Sequence, residues 1–210
     1  MATVIMVLHI LIAYLIGSIP FGLLIGKLNG KDIRKEGSCN IGATNVTRVV
    51  GKWWGKLCFL CDFLKGFLPV FYVMRAYPGC GLIIALTALA VVLGHVFPVY
   101  LGFKGGKGVS TAAGAALALC PLAVMIASAV WVVVFLTSRY VSLASLLAAL
   151  ALPVSAWLLH FFANFQLPLP VGILLILLAV LTFWRHRSNI GRLLNGTESR
   201  FERKKKNEMQ

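Results

Sequence analysis

Long apolar runs alternate with short polar segments along this chain. The apolar runs occupy residues 3–25, 53–74, 81–101, 112–137, 141–162 and 171–184. A helix of about 20 apolar residues is long enough to cross a hydrocarbon core of about 30 Å. The pattern therefore predicts an all-α fold, a polytopic bundle of transmembrane helices.

The composition indicates a membrane protein, and membrane topology in turn accounts for the excess of positive charge. The chain of 210 residues is 60% hydrophobic and has a net charge of +14, and its mean hydropathy is +0.90. These values exclude an ordinary soluble domain. In a membrane protein an excess of Lys and Arg first indicates which loops stay in the cytoplasm, so nucleic acid is not an expected partner.

The distribution of basic residues predicts the orientation. The segments 26–52 and 102–108 and the C-terminus are basic, whereas the linker 163–170 carries no charge. Basic segments remain cytoplasmic. We therefore expect the N-terminus outside, the linker 163–170 outside and the C-terminus inside.

This orientation requires the run 112–137 to cross away from the cytoplasmic side and return to it. The interruption at Cys120 and Pro121 divides it into two short helices or a re-entrant hairpin, and a single crossing would leave the basic tail outside. Counting both halves predicts seven transmembrane helices, two of them short. Residues 1–210 form one domain, and 199–210 are expected to be a frayed, basic cytoplasmic tail.

The residues from Gly94 to Thr111, GHVFPVYLGFKGGKGVST, join two apolar runs. Glycines that feed a helix N-terminus, with lysines beside them, are typical of a phosphate cradle. The loop is not a Walker A loop, because Gly108 follows Lys107 and Leu101 stands where that motif has its first glycine. The alternative is a flexible basic loop at the membrane boundary.

Three other features carry candidate chemistry. The segment 38–48 is dense in small hydrogen-bonding side chains and ends in Arg48, which favours a site over an ordinary loop. Asp62 and Lys65 share a helix face and are expected to form a structural ion pair. Cys58 and Cys61 form a C-x-x-C pair without further ligands, so no metal is expected.

The predicted topology brings four polar clusters to one side of the membrane. They are residues 38–48, 104–111, 139–145 and 186–198. Such convergence favours one site. A break in the first run, at residues 17–22, also indicates a helix that is kinked or opens near a polar pocket.

Five motifs resemble those of the bacterial acyl-phosphate:glycerol-3-phosphate acyltransferases, in the same order. They are GSIPFG (17–22), SCNIGATNVTR (38–48), GHVFPVYLGFKGGKGVST (94–111), RYVSLAS (139–145) and HRSNIGRLLNGTE (186–198). The likeness covers nearly the whole chain. One departure is Cys39, where glycine is expected, and we expect the small substitution to be tolerated.

The resemblance implies an enzyme of the bacterial inner membrane with its site on the cytoplasmic side. Its substrates would be acyl phosphate and sn-glycerol 3-phosphate, and its product would be lysophosphatidate, the first acylated intermediate of phospholipid synthesis. No cofactor and no metal are expected, membrane lipid is the surrounding partner, and we expect a monomer.

The resemblance and the polar residues together assign roles. The expected catalytic residues are Ser38, Arg48, Lys104, Ser142, His186 and Asn189. The expected substrate-binding residues are Asn40, Thr44, Asn45, Gly105, Gly106, Lys107, Gly108, Arg139 and Ser145. Asp62, Lys65 and Glu198 are expected to be structural.

The general base stays open at this point. No histidine has the aspartate of an H-x4-D pair, and the phosphate leaving group of a mixed anhydride needs no strong acid. We expect a substrate phosphate oxygen or His186 to accept the hydroxyl proton. Ser38 is expected to donate a hydrogen bond to the donor phosphate, and a covalent relay is the alternative. The rival functions are a transporter or channel for an organic phosphate and a scaffold for anionic lipid.

Overall fold

The computed structural model describes residues 2–201, and in this part of the chain the regular secondary structure is all helical, without strands. The expected frayed tail therefore lies outside the described residues from 202 onward. The helices are α1 (Ala2–Ser18), α2 (Phe21–Leu28), α3 (Ala43–Val49), α4 (Lys52–Ala76), α5 (Gly81–Val96), α6 (Val109–Leu119), α7 (Pro121–Ser138), α8 (Val141–Phe162), α9 (Leu169–Arg185) and α10 (Arg187–Leu194). A 3₁₀ turn, Val99–Leu101, follows α5.

Five stretches of helix are long and apolar enough to cross a membrane. They are Thr3–Leu28, Lys52–Ala76, Gly81–Leu101, Pro121–Ser138 and Val141–Phe162. The pair α9 and α10, bent by 58°, adds a sixth, and α6 is a shorter apolar helix. An all-helical membrane bundle is thus confirmed, while seven crossings and the orientation of the termini stay predictions.

The first apolar run is broken at Ile19 and Pro20, between α1 and α2, within the segment where the sequence predicts an interruption. Proline has no N–H group to continue a helix. At this break the carbonyl of Ile19 accepts a hydrogen bond of 2.7 Å from Nζ of Lys65 on α4. The break is therefore stabilised by a buried polar partner from a neighbouring helix.

The run 112–137 is divided at Cys120, as its Cys-Pro step predicts. Cys120 ends α6, of 11 residues, and begins α7, of 18 residues. At a rise of about 1.5 Å per residue the two helices are about 16 Å and 27 Å long. Because α6 and α7 meet at Cys120, we infer that the other end of α6, at Val109, lies roughly 10 Å deeper in the membrane than the other end of α7, at Ser138.

Small residues let the helices approach closely where the site is built. A Cβ atom at Gly66 of α4 would lie 2.1 Å from the carbonyl oxygen of Thr111 on α6, and one at Gly114 would lie 2.0 Å from that of Phe63. Such contacts between helix backbones need glycine. They hold the beginning of α6 firmly against α4.

Candidate functional site

Glu198, in the segment after α10, is the centre of a hydrogen-bonded cluster that joins α8 and α10. Its Oε1 atom accepts hydrogen bonds from Ser142 Oγ (2.7 Å) and Asn189 Nδ2 (2.6 Å), and its Oε2 atom accepts one from Arg192 Nε (2.7 Å). Burial alone would raise the pKa of Glu198, but these donors outweigh it and lower the pKa below its ordinary value. Glu198 is therefore an anion that orients Ser142 and Asn189.

Lys107 connects this cluster to the glycine loop (residues 102–108). Its Nζ atom donates a hydrogen bond to Oδ1 of Asn189. The pKa of Lys107 is lowered to about 8, chiefly by burial; Glu198 opposes this shift, and Arg192, Arg185 and Arg48 contribute to it. Four cations around one carboxylate leave an excess of positive charge, which suits a phosphate group.

The glycine loop folds back on the end of α5 instead of presenting all of its N–H groups. The N–H groups of Gly105 and Gly106 donate to the carbonyl oxygens of Val96 (3.2 Å) and His95 (3.1 Å). Those of residues 107–111, at the start of α6, have no hydrogen-bond partner among the described residues. The N–H groups available to an anion are therefore those of 107–111, and the predicted cradle does not use those of Gly105 and Gly106.

Arg185, at the end of α9, holds the same loop from its other side. Its Nε atom donates to the carbonyl oxygen of Gly106 (3.2 Å) and its Nη2 atom to that of Gly105 (3.1 Å). The fork of the guanidinium group suits two adjacent carbonyls. The loop is thus fixed by its own backbone and by one arginine.

The buried side chain of His95 supports the glycine loop. A Cβ atom added to Gly106 would lie 2.1 Å from Nε2 of His95, so the imidazole ring lies directly against the Gly106 backbone. Nδ1 of His95 lies 3.5 Å from Oδ1 of Asp62, and the same oxygen pairs with Nζ of Lys65 at 2.7 Å. The expected Asp62–Lys65 ion pair is therefore present, and His95 extends it to the loop.

The segment 38–48 is organised by Asn45, which is buried. Its Oδ1 atom accepts a hydrogen bond from the N–H group of Ser38 (2.8 Å), and its Nδ2 atom donates to the carbonyls of Ile33 and Glu36 (2.8 and 3.1 Å). These contacts occupy the amide group, so Asn45 positions the loop. The Ser38 side chain is exposed.

Two other residues shape this loop. Oδ1 of Asn40 accepts a hydrogen bond from the N–H group of Gly42 (2.9 Å), which closes an Asx turn before α3. Cys39 has a φ angle of 57°, in the left-handed region. A glycine would adopt this conformation without the steric cost that a Cβ atom imposes.

Arg48 lies against the C-terminal segment (residues 195–201). Its Nη2 atom donates to the carbonyl of Ser199 at 3.4 Å, and its guanidinium carbon lies 5.2 Å from the centre of the Phe201 ring. The N–H group of Phe201 donates to the carbonyl of Arg139 at 3.1 Å. The C-terminal segment therefore brings the loop of Arg48 and the α7–α8 corner together.

His186 lies at the junction of α9 and α10 and is buried. Burial lowers its pKa to about 4, and the nearby charge of Lys107 acts in the same direction. The neutral ring donates through Nδ1 to the carbonyl of Thr182 at 2.8 Å. This tautomer leaves the lone pair on Nε2, which is the form that accepts a proton.

An apolar cavity of about 670 Å³ adjoins the cation cluster. Its lining comes from α3, α4, α6, α7, α8 and α9, and Phe201 also contributes to it. Thr44 and Ser145 are among the predicted substrate-binding residues that line it, and Ser145 accepts a hydrogen bond from Trp131 at 3.3 Å. The cavity is of a size and character that suit an aliphatic chain.

The geometry separates the predicted residues into groups. Ser142, Lys107, His186 and Asn189 meet in or beside the Glu198 cluster, and Arg48 and Arg139 adjoin it through the C-terminal segment. Gly108 has a φ angle of 82° before α6. The side chain of Lys104 is exposed and makes no hydrogen bond or ion pair within residues 2–201.

Four residues of the site were not predicted. Arg185 directly precedes the motif 186–198 and Arg192 lies within it, so their charge was a usable signal. His95 lies within the motif 94–111, but the sequence alone does not predict that its ring contacts Gly106. Phe201 follows the last motif, and nothing in the sequence marks it.

Comparison with known proteins identifies the family. The family model described as glycerol-3-phosphate acyltransferase matches residues 7–196. The glycerol-3-phosphate acyltransferase of Aquifex aeolicus is 47% identical over 91% of this chain and 97% of its own length. That of Trichlorobacter lovleyi is 49% identical over 90% of this chain and 94% of its own.

Two solved structures of PlsY, an integral membrane glycerol 3-phosphate acyltransferase, have the same fold at 45% identity and cover 94% of this chain. The glycerol 3-phosphate form gives a TM-score of 0.87 over 96% of that chain, and the lysophosphatidic acid form gives 0.85 over 95%. In sequence and in fold, this multi-pass membrane protein belongs to the PlsY family of glycerol-3-phosphate acyltransferases.

Proposed function

We propose that this acyltransferase uses acyl phosphate as its donor and acylates the 1-hydroxyl of sn-glycerol 3-phosphate, giving lysophosphatidate and phosphate. The observation that carries the proposal is the position of an apolar cavity directly beside a cluster of cations. A reaction that joins an aliphatic acyl group to a small phosphate ester needs both environments in contact.

Glycerol 3-phosphate binds at the start of α6. The N–H groups of residues 107–111, which pair with no described residue, and the ammonium group of Lys107 provide donors and charge for its phosphate. Gly105 and Gly106 hold these groups in place through their contacts with α5 and Arg185. The glycerol 3-phosphate form of the PlsY relative supports binding of this substrate by the fold.

The acyl chain of the donor occupies the cavity, and its phosphate group lies at the mouth. Phe201 lines the cavity and lies against Arg48, which places that cation beside the mouth. Arg48 and Arg139, with the exposed hydroxyl of Ser38, hold the phosphate group and stabilise the charge that develops on it. The exposed Lys104 is available to attract the anionic substrates to this face.

The reaction is one displacement at the acyl carbon. The 1-hydroxyl oxygen of glycerol 3-phosphate attacks this carbon, the bond to the phosphate oxygen breaks, and inorganic phosphate leaves with the bonding electrons. Ser142 and Asn189, oriented by Glu198, position the reacting hydroxyl. The hydroxyl proton passes to a base in the same step.

Burial weakens His186 as a base for the hydroxyl proton. Burial lowers the pKa of His186 to about 4, whereas the second pKa of a phosphate monoester is about 6. We therefore propose substrate assistance. His186 then contributes hydrogen bonding through Nε2.

The site faces the cytoplasm of a bacterial cell, at its inner membrane. We propose seven crossings, with α6 and α7 as separate spans, the N-terminus outside and the C-terminus inside. The basic residues around the site and the uncharged linker between α8 and α9 support this orientation. The enzyme acts as a monomer and needs no cofactor.

Purified protein in liposomes, supplied with acyl phosphate and labelled glycerol 3-phosphate, tests the proposal. We expect one phosphate released for each lysophosphatidate formed, with the acyl group on the 1-hydroxyl. A transporter for organic phosphates would instead accumulate labelled glycerol 3-phosphate inside the liposomes without forming lysophosphatidate, and that result would contradict the proposal.

A further inference from the structure

The register of α7 and α8 is fixed by two hydrogen bonds. Trp131 Nε1 on α7 donates to Ser145 Oγ on α8 at 3.3 Å, and nearer the other end Ser155 Oγ donates to the carbonyl of Ala123 at 3.4 Å. The two helices therefore run antiparallel. Val124 on α7 lies next to Ala123, and Leu152 on α8 lies one turn from Ser155, so these side chains are at about the same depth.

The cavity follows one face of each of these helices. It is lined on α7 by residues 124, 127, 128, 131, 132 and 135, and on α8 by residues 141, 145, 148, 149 and 152. Both sets repeat at three- and four-residue intervals, which is the spacing of a single helix face. Ala127, Ser128, Ala148 and Ala149 leave the middle of the cavity open.

Branched side chains close the end away from the cations. Leu152 and Val124 are only 9% and 7% exposed, and both belong to an apolar cluster that includes Leu175. Val141 lines the other end, where Phe201 lies against Arg48. The cavity thus has a mouth at the cation cluster and a wall made by Leu152 and Val124.

The distance from mouth to wall suits a long acyl chain. Val141 and Leu152 are 11 residues apart on α8, which corresponds to about 16 Å along the helix axis. An extended chain advances about 1.2 Å per bond, judged from an extended peptide of three bonds per residue. The cavity therefore accommodates roughly 14 carbon atoms in an extended chain.

We propose that Leu152 and Val124 set the maximum length of the acyl chain that this enzyme transfers efficiently. This inference rests on the proposed function, since it requires the acyl chain of the donor to occupy the cavity. Ala148 lies one turn nearer the mouth than Leu152 and leaves room for the chain only because its side chain is a methyl group. A larger residue at Ala148 shortens the cavity, and a smaller one at Leu152 lengthens it.

Initial rates with acyl phosphates of 10 to 18 carbon atoms, at saturating glycerol 3-phosphate, test the proposal. We expect Leu152→Ala to raise kcat/KM for 18 carbons relative to 14 by about tenfold, since about two more methylene groups become buried. We expect Ala148→Leu to lower kcat/KM for 16 and 18 carbons at least tenfold relative to 10 carbons. Leu150→Ala is the matched control, because Leu150 is 51% exposed on another face of α8, and its chain-length profile should equal that of the unmodified enzyme.

The ratio of rates between chain lengths distinguishes a residue that closes the cavity from one with a merely structural role. A loss of stability lowers the rate with every chain length by the same factor, whereas a wall changes the ratio between lengths. Uniform losses, or an unchanged profile in both Leu152→Ala and Ala148→Leu, would overturn the inference while leaving the proposed reaction intact. Failure of the unmodified enzyme with every acyl phosphate would instead contradict the proposed donor.

Discussion

The Nζ atom of Lys107 donates a hydrogen bond to Oδ1 of Asn189, and this contact joins the glycine loop to α10. Asn189 donates in turn to Glu198, which also accepts from Ser142. The residues that we assign to glycerol 3-phosphate and those that position its hydroxyl are therefore one connected network. The charge of Lys107 therefore influences both groups of residues.

The ionisation of Lys107 predicts an alkaline limit on activity. Its lowered pKa of about 8 means that it is charged below about pH 8 and loses its charge above that pH. In the unmodified enzyme kcat/KM for glycerol 3-phosphate should therefore fall by about tenfold per pH unit above this value. Lys107→Arg should remove this alkaline limb of the pH profile, because a guanidinium group stays protonated.

Lys104→Arg is the control for this titration, because Lys104 lies outside the cluster, and its profile should keep the alkaline limb. Initial rates at low glycerol 3-phosphate between pH 6 and 10 give the measurement. If the limb persists unchanged in an active Lys107→Arg enzyme, Lys107 is not the group that titrates.

The contact between Gly106 and His95 predicts a specific defect. A methyl group at Gly106 would lie 2.1 Å from Nε2 of His95, so the loop must shift and carry the N–H groups of 107–111 with it. We expect Gly106→Ala to raise KM for glycerol 3-phosphate more than it lowers kcat. We also expect it to destabilise the protein by about 1–3 kcal/mol, the usual cost of overpacking.

Gly191→Ala serves as a control, since a Cβ atom there meets no atom of residues 2–201 within 4 Å, and it should leave KM unchanged. The double variant His95→Ala with Gly106→Ala tests the cause. If Gly106→Ala has the same effect on KM whether His95 is present or not, the imidazole ring is not what the methyl group displaces.

Cys39 predicts a stabilising substitution. Its φ angle of 57° imposes a cost on any residue with a Cβ atom, so Cys39→Gly should raise the free energy of unfolding by about 1 kcal/mol. Cys39→Ala retains the Cβ atom and should give no such gain. Thermal melting in detergent compares the two, and equal melting temperatures for both variants would show that the backbone conformation is not the source of strain.

Much of the fold could be predicted from hydropathy and from the prolines that interrupt helices. The apolar runs located the long helices, and Pro20 and Pro121 marked the two interruptions, because proline cannot supply the N–H group that a continuing helix needs. The polar clusters also converge as the charge distribution predicted. The bend between α9 and α10 was not predicted, because no proline or glycine marks His186 as a break.

The site was less predictable than the fold, because distant contacts decide which atoms remain free. Two glycines of the loop looked like anion donors, yet their N–H groups bind the end of α5. Asn45 looked like a ligand residue, but its amide is occupied by three backbone groups. Lys104 and Lys107 are three residues apart, and only the partner at Asn189 distinguishes them.

The proposed orientation predicts the accessibility of two exposed positions on opposite sides of the membrane. In a version with all five cysteines replaced, Asn164→Cys in the linker between α8 and α9 should react with an impermeant thiol reagent added to whole cells. Ser199→Cys should react only after the membrane is permeabilised. The reverse labelling pattern would contradict an outside N-terminus and a cytoplasmic site.

The choice of acyl donor tests the account most directly. Purified enzyme should be given glycerol 3-phosphate with either acyl phosphate or acyl-CoA of the same chain length, and lysophosphatidate should be measured by mass spectrometry. We predict rapid formation from acyl phosphate, with stoichiometric release of phosphate, and none from acyl-CoA, because the cations at the cavity mouth hold the phosphate group of a mixed anhydride. Efficient turnover with acyl-CoA and none with acyl phosphate would contradict the proposed reaction.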